Sequence, residues 1–261
     1  MRKNYLANYR SERESFARLW QEGNPERILL FSGQSGSGKT SLLHNCCEQI
    51  PVHIYTVSLD CQEDGINPAE VFSLIECYVG RERLPELQRQ LTAWAAMRQV
   101  KVKGNHIEGN DNSIIAVLTS GGEEERKERL VRLTEALLLD ISRLDNPLLL
   151  LVDTYEKAGA DLRVWLRSVI RRLPQACPLL RIVVAGQEVL STKTCEPWAR
   201  CCKEYNLTGV PDPEEWLLVV EQLCKRVPAD HPIDFLRGIC TALQGNPAGI
   251  INLIKSFPSL S

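Results

Sequence analysis

The residues whose types and spacing point most directly to chemistry are Gly33-Gln34-Ser35-Gly36-Ser37-Gly38-Lys39-Thr40. Glycines at these positions let the backbone curl until successive N–H groups face one concavity, where a side chain would block an anion. An apolar run, Ile28 to Phe31, precedes the loop, and Ser41-Leu42-Leu43 opens a helix after it. Strand, glycine-rich loop and helix in that order are what a phosphate-binding loop requires, and the helix start adds its free N–H groups and dipole. Lys39 is expected to reach β- and γ-phosphates, and the Thr40 hydroxyl to join a Mg²⁺ shell. The expected nucleotide-binding residues are therefore Gly33, Ser35, Gly36, Ser37, Gly38, Lys39, Thr40 and Ser41. The competing reading is a glycine-rich turn that holds no ligand.

Three further residues extend the site. Asp153 ends the apolar run Leu148 to Val152, where a carboxylate would hold Mg²⁺ opposite Thr40. The competing role is a strand-ending Asp that caps the next turn. Glu156 stands three residues on and could orient an attacking water as a general base. Thr154 occupies the position directly after Asp153, where many such ATPases carry their glutamate. Gln187 ends the next apolar run, Arg181 to Gly186. Its amide could meet a γ-phosphate or the water, with less stabilisation of developing charge than an arginine would give. Lys39, Asp153, Glu156 and Gln187 are the expected catalytic set, and Thr40 and Asp153 the expected metal ligands.

These residues need a scaffold of alternating strands and helices. The pattern predicts helices from about Asn8 through Trp20, from the loop to about Glu48, over Ala69–Val79 and Pro85–Met97, and over Leu162–Leu173. Strands are expected over Val52–Leu59, Leu148–Asp153, Arg181–Gln187 and Tyr205–Leu207. Residues 103 to 122 read as an exposed insertion with a small strand pair around Ile114–Leu118. Glu123 to Glu125 open a long helix whose Leu130, Leu133, Leu137, Ile141 and Leu144 form one stripe at three- and four-residue steps. From Asp212 onward only helices are expected: Pro213–Val227, Ile233–Leu243 and Pro247–Phe257. The fold class is thus α/β, a parallel P-loop sheet flanked by helices with a small C-terminal helical subdomain. The expected division is 1–210 for the core and 211–261 for the helical lid.

Composition narrows the partners. The 261 residues carry a net charge of -2, which disfavours a mainly electrostatic nucleic-acid binder. Two lysines, Lys101 and Lys103, follow Arg98, but so short a run is ordinarily a solvated face. No apolar stretch approaches membrane-span length and the N-terminus has no hydrophobic signal core, so a cytoplasmic protein without membrane contact is expected. Ten cysteines include the adjacent pairs Cys46-Cys47 and Cys201-Cys202 but no C-x-x-C. The nearest cluster, Cys195, Cys201 and Cys202, has no histidine beside it. They read as reduced packing residues, with no zinc site.

With these residues in place the chain resembles the STAND class of signal-transducing P-loop ATPases, relatives of the AAA+ and NACHT proteins, most closely the bacterial regulators and defence-type members. The resemblance runs from Arg10-Ser11-Glu12 with Phe16, through the loop, Leu133-Thr134-Glu135-Ala136 with Asp140, Leu151 to Glu156, and Arg181 to Gln187, to Gly245-Asn246-Pro247. It implies ATP and ADP as ligands with Mg²⁺, self-assembly or protein partners, and a Gly-x-Pro turn in the helical subdomain that sets Pro247 near the base. The chain departs from the pattern in having Gln187 where the family has an arginine, which weakens the case for strong hydrolysis. It also stops at Ser261, where longer relatives continue into a winged helix; it is expected to be an excised core or a stand-alone switch.

The leading reading is an ATP-controlled signalling switch with slow Mg-dependent hydrolysis. The alternative is a nucleotide-binding scaffold with negligible hydrolysis. A metabolite kinase is disfavoured, because the tail supplies only Arg226 and Arg237 where a kinase lid needs arginines and an acceptor-binding acid. The absence of Asn-Lys-x-Asp leans towards adenine.

Overall fold

The computed structural model describes residues 8–63, 66–101, 113–191 and 197–259. Among them, strands β1 (Ile28–Ser32), β2 (Tyr55–Asp60), β3 (Leu148–Asp153), β4 (Leu180–Gly186) and β5 (Cys202–Asn206) form one sheet in the order β2-β3-β4-β1-β5. Every pairing is parallel, so all the strands end at one edge. The order puts β4 between β1, which leads into the glycine-rich loop, and β3, which ends in Asp153.

Alternate residues of the same strands feed two cores, as a strand's two-residue period dictates. Ile28, Leu30, Leu150, Val152, Ile182 and Val184 face one. Against them lie α3 (Pro68–Val79), α4 (Pro85–Lys101), α5 (Ser113–Thr119), α6 (Glu123–Ile141) and α7 (Ala160–Ala176). Leu29, Phe31, Leu149, Leu151, Val183 and Ala185 face the other. That side is covered by α1 (Arg10–Arg18), α2 (Lys39–Cys47) and the tail helices α8 (Pro213–Gln222), α9 (Pro232–Ala242) and α10 (Pro247–Lys255). Burial on both faces explains why β1, β3 and β4 are continuous apolar runs.

The α/β class, the strand order in sequence and the helical tail follow the expectation; several boundaries and one element do not. β2 begins at Tyr55 rather than Val52. Pro51 accepts a turn hydrogen bond from Ile54 N, and Val52 is fully exposed. The Ile114–Leu118 run is helical, not a strand pair. Ile114, Val117 and Leu118 are all buried, a three- and four-residue spacing that only a helix puts on one face. The rest of that insertion, 102–112, lies outside the described residues, as do Lys103 and Cys195; of the Arg98 and Lys101 side chains nothing is described.

In α6, Leu133, Leu137 and Ile141 are buried, with Leu144 beyond its end and Leu130 half-buried at its start. Helix α8 stops at Gln222, short of Val227. Cys224 adopts a left-handed φ of 51° and Lys225 N reaches back to Val220 O, the hydrogen bonding of a Schellman end. Cys46, Cys61, Cys177, Cys201 and Cys240 are buried and Cys77 and Cys224 exposed. Burial pushes the Cys46 thiol up to about 12 and that of Cys177 to about 11, so these thiols pack rather than react.

Candidate functional site

The glycine-rich loop leaves β1 at Ser32 and enters α2 at Lys39. Its shape depends on glycine at specific places. Gly36 and Gly38 have φ of 80° and 91°, a region side chains rarely adopt. A Cβ on Gly33 would lie 2.5 Å from Leu207 O and 2.7 Å from Ser37 Oγ. Lys39 folds over the loop: Nζ donates to Gly33 O at 2.7 Å, Gln34 O at 2.9 Å and Ser37 Oγ at 3.4 Å. Burial pushes the Lys39 pKa down, and the carboxylates of Glu156 and Asp153 draw it back up. Those two acids are therefore electrostatic neighbours of the ammonium.

At the end of β3, Asp153 Oδ1 accepts from Thr154 N at 2.8 Å. Thr154 has φ 55°, a conformation that costs a non-glycine residue roughly 1–3 kcal/mol. It is held by that bond and by Lys157 N donating to Thr154 O at 2.8 Å. The resulting single 3-10 turn, Tyr155–Lys157, carries Glu156 sideways to β4. There Glu156 Oε2 accepts from the Gln187 backbone N at 2.8 Å. A Cβ on Gly186 would sit 2.8 Å from the same oxygen, so the close approach needs glycine. Arg163 steadies the turn from below, donating to Glu156 O and Ala158 O with its guanidinium over the Tyr155 ring.

The tail helices meet the loop directly. Asn246, N-cap of α10, donates from Nδ2 to Ser35 O at 3.3 Å and accepts from Gly249 N at 3.0 Å. Ala248 N donates to Gly36 O at 3.1 Å, and Pro247 is buried with its ring 3.6 Å from where a Cβ on Gly38 would be. From the N-terminal side the Tyr9 hydroxyl donates to Ser37 O. Burial, with Glu12 nearby, pushes that phenol up to about 12, so it stays a donor.

Ser35, Gly36, Gly38, Lys39, Thr40, Ser41, Asp153, Glu156, Gln187 and Pro247 all line one cleft of about 290 Å³. Of the residues singled out from the sequence, Gly33 and Ser37 stand behind it and shape the loop. Tyr9, Ala248 and Ile251 are not among the expected residues, and Asn246 is there only as the middle of the Gly-x-Pro turn. Asn246 carried a readable signal, since an Asn before a Pro-initiated helix is a cap; Tyr9 carried none. A larger groove of about 950 Å³ between α4 and α6 shares no residue with the cleft. Among its charges Arg89 pairs with Glu86 and Arg132 with Glu128.

A cradle of N–H groups, an ammonium and two nearby carboxylates suits a polyphosphate with a divalent cation: the amides and Lys39 match the anion, and Thr40 and Asp153 have the oxygen donors that Mg²⁺ prefers.

A model of the AAA ATPase domain matches residues 10–184. Among curated proteins no match is found. Among solved structures the Walker-type ATPase PABY2304 of Pyrococcus abyssi is similar, at 18% identity and TM-score 0.51, over 97% of this chain and 69% of that one. Cdc6p from Pyrobaculum aerophilum matches at 12% identity and TM-score 0.45, over 95% of this chain and 60% of its own. The first likeness agrees with the P-loop ATPase fold.

Proposed function

Because this chain belongs to the AAA ATPase domain family, a membership that implies nucleotide binding, we propose that it is an ATP-binding signalling switch of the STAND type. In this reading residues 1–210 are the core, 211–261 the lid, and the nucleotide sets the arrangement of one against the other. The observation that carries it is the lid's grip on the phosphate-binding loop, through Asn246 to Ser35 O and Ala248 to Gly36 O. Whatever fills that loop acts on the lid, and a ligand shifts such an equilibrium only through its different affinity for the two states.

The loop amides and Lys39 bind the phosphates, and Pro247 packs against the base. Thr40 and Asp153 would hold Mg²⁺, which would neutralise charge on the phosphate oxygens. Glu156, aimed by the Gln187 N–H, takes the proton of the attacking water while Gln187 orients it. An amide at Gln187 stabilises the transferring group less than a guanidinium, which makes hydrolysis slow. Motif order supports a cytoplasmic place in bacterial regulation or defence, acting through self-assembly or a protein partner. The same Gln187 favours a second reading, a nucleotide-binding scaffold without turnover.

Thermal unfolding with Mg-ATP, Mg-ADP, Mg-GTP and no nucleotide tests the binding. Ligand at a hundred times Kd stabilises by about 2.7 kcal/mol, a Tm rise of roughly 5–10 °C for a chain this long. The rise is expected with adenine nucleotides and absent in Lys39→Ala. A wild type purified free of nucleotide and unmoved by any of the three would sink the switch.

A further inference from the structure

Five consecutive carbonyls of the loop accept hydrogen bonds from outside its main chain. Lys39 Nζ takes those of Gly33 and Gln34, Asn246 Nδ2 that of Ser35, Ala248 N that of Gly36, and Tyr9 OH that of Ser37. A trans peptide unit is planar, with its C=O and N–H pointing in opposite directions. Holding the Ser35, Gly36 and Ser37 carbonyls therefore aims the N–H groups of Gly36, Ser37 and Gly38. With φ of 80° at Gly36 and 91° at Gly38, the chain here has glycine's freedom to rotate these units, so their orientation needs holding.

We infer that Asn246 is a positioning residue for phosphate binding: it is the side chain through which the helical lid sets the peptide orientation of the loop. This rests on the reading of the cleft as a nucleotide site. Its amide orientation is fixed by its partners, because Oδ1 accepts from Gly249 N at 3.0 Å and so turns Nδ2 to Ser35 O. Its approach also depends on Gly36, where a Cβ would lie 2.8 Å from Oδ1 and 3.0 Å from Nδ2. When the lid leaves, the Ser35 and Gly36 carbonyls lose their donors and the amides lose their aim. By linkage, phosphate in the loop holds the lid down to the same degree.

Two variants of the full chain separate this role from simple helix capping. Asn246→Ser keeps an oxygen that caps α10 but is too short to hold the Ser35 carbonyl. Asn246→Ala loses both functions. Amide hydrogen exchange is followed without nucleotide, and affinity is measured with a fluorescent ATP analogue. Both variants are expected to speed exchange at Ser37, whose N–H donates to Gln34 O at 3.2 Å within the loop, and to weaken the analogue roughly fivefold, the worth of one hydrogen bond. Faster exchange at the start of α10 is expected for Ala alone. If Ser matches wild type in loop exchange and affinity, Asn246 is only a cap and the inference falls. If wild type binds no analogue, the switch reading fails, and loop exchange still decides: faster exchange in both variants upholds the positioning role, and unchanged exchange overturns it.

Discussion

Lys39, Asp153 and Glu156 form one electrostatic unit, in which burial lowers the lysine's pKa and Glu156 and Asp153 counter only part of that. Glu156 is the member whose removal separates binding from turnover. Replacing it with Gln keeps an oxygen to accept from Gln187 N, so the 2.8 Å contact and the fold are expected to survive while the proposed base is lost. For Glu156→Gln, hydrolysis is expected to fall about 10²-fold or more with the nucleotide-dependent Tm rise intact. Turnover equal to wild type would remove Glu156 as the base, and no turnover in either protein would favour the scaffold. The loop, Asp153, Glu156 and Gln187 are legible because each follows a short apolar run bounded by turn residues, in the alternating order that suits a buried parallel strand. Tyr9 and Asn246 were not assigned to the site because what they hold are carbonyls 28 and 211 residues away, and a carbonyl has no residue type to read.

Helix α4 shows how far local pattern carries and where it stops. Pro85 marks its start, but its cap comes from another element: Asp140 of α6, 1% exposed, accepts from Glu86 N at 3.1 Å and Leu87 N at 2.8 Å. Burial pushes this carboxyl up in spite of the two amides, so the bonds are made in a dry place and leaving them unmade is costly. Asp140→Ala is expected to destabilise by about 2 kcal/mol, a Tm fall of roughly 4–8 °C by scanning calorimetry. A change within 1 °C would mean that water caps α4 as well as Asp140 does. Helix α5 departs from expectation for the same reason. Ile114 to Leu118 fits a strand or a helix by composition, and only its burial against α3, α4 and α6 selects the helix. β2 is shorter than its pattern predicts because Val52 has strand propensity while the Pro51 turn puts it in water.

For the molecule as a whole the question is how the helical tail, the proposed lid, is joined to the core. The core passes into the lid through residues 207–212, and there two backbones touch. Val210 N donates to Gly245 O at 2.8 Å and Val210 O accepts from Trp216 Nε1 at 2.8 Å, with Trp216 wholly buried beneath. Gly209, at φ 107°, has no room for a Cβ, which would lie 2.6 Å from Gly245 O. One methyl there therefore presses on the turn that begins α10, the same turn that holds Ser35 and Gly36. Gly209→Ala is expected to unseat the lid although Gly209 itself does not line the cleft. Solution scattering should then give a radius of gyration above the roughly 18 Å of a compact chain this long, with faster proteolysis at 207–212. Saturating Mg-ATP should return it towards the wild-type value, because nucleotide bound between loop and lid favours the closed arrangement by its differential affinity. Wild type measured with Mg-ATP and with Mg-ADP should give distinguishable curves for the same reason. If Gly209→Ala scatters as wild type and neither protein responds to nucleotide, the lid is a fixed part of the core, and loop and tail are joined for stability rather than for switching.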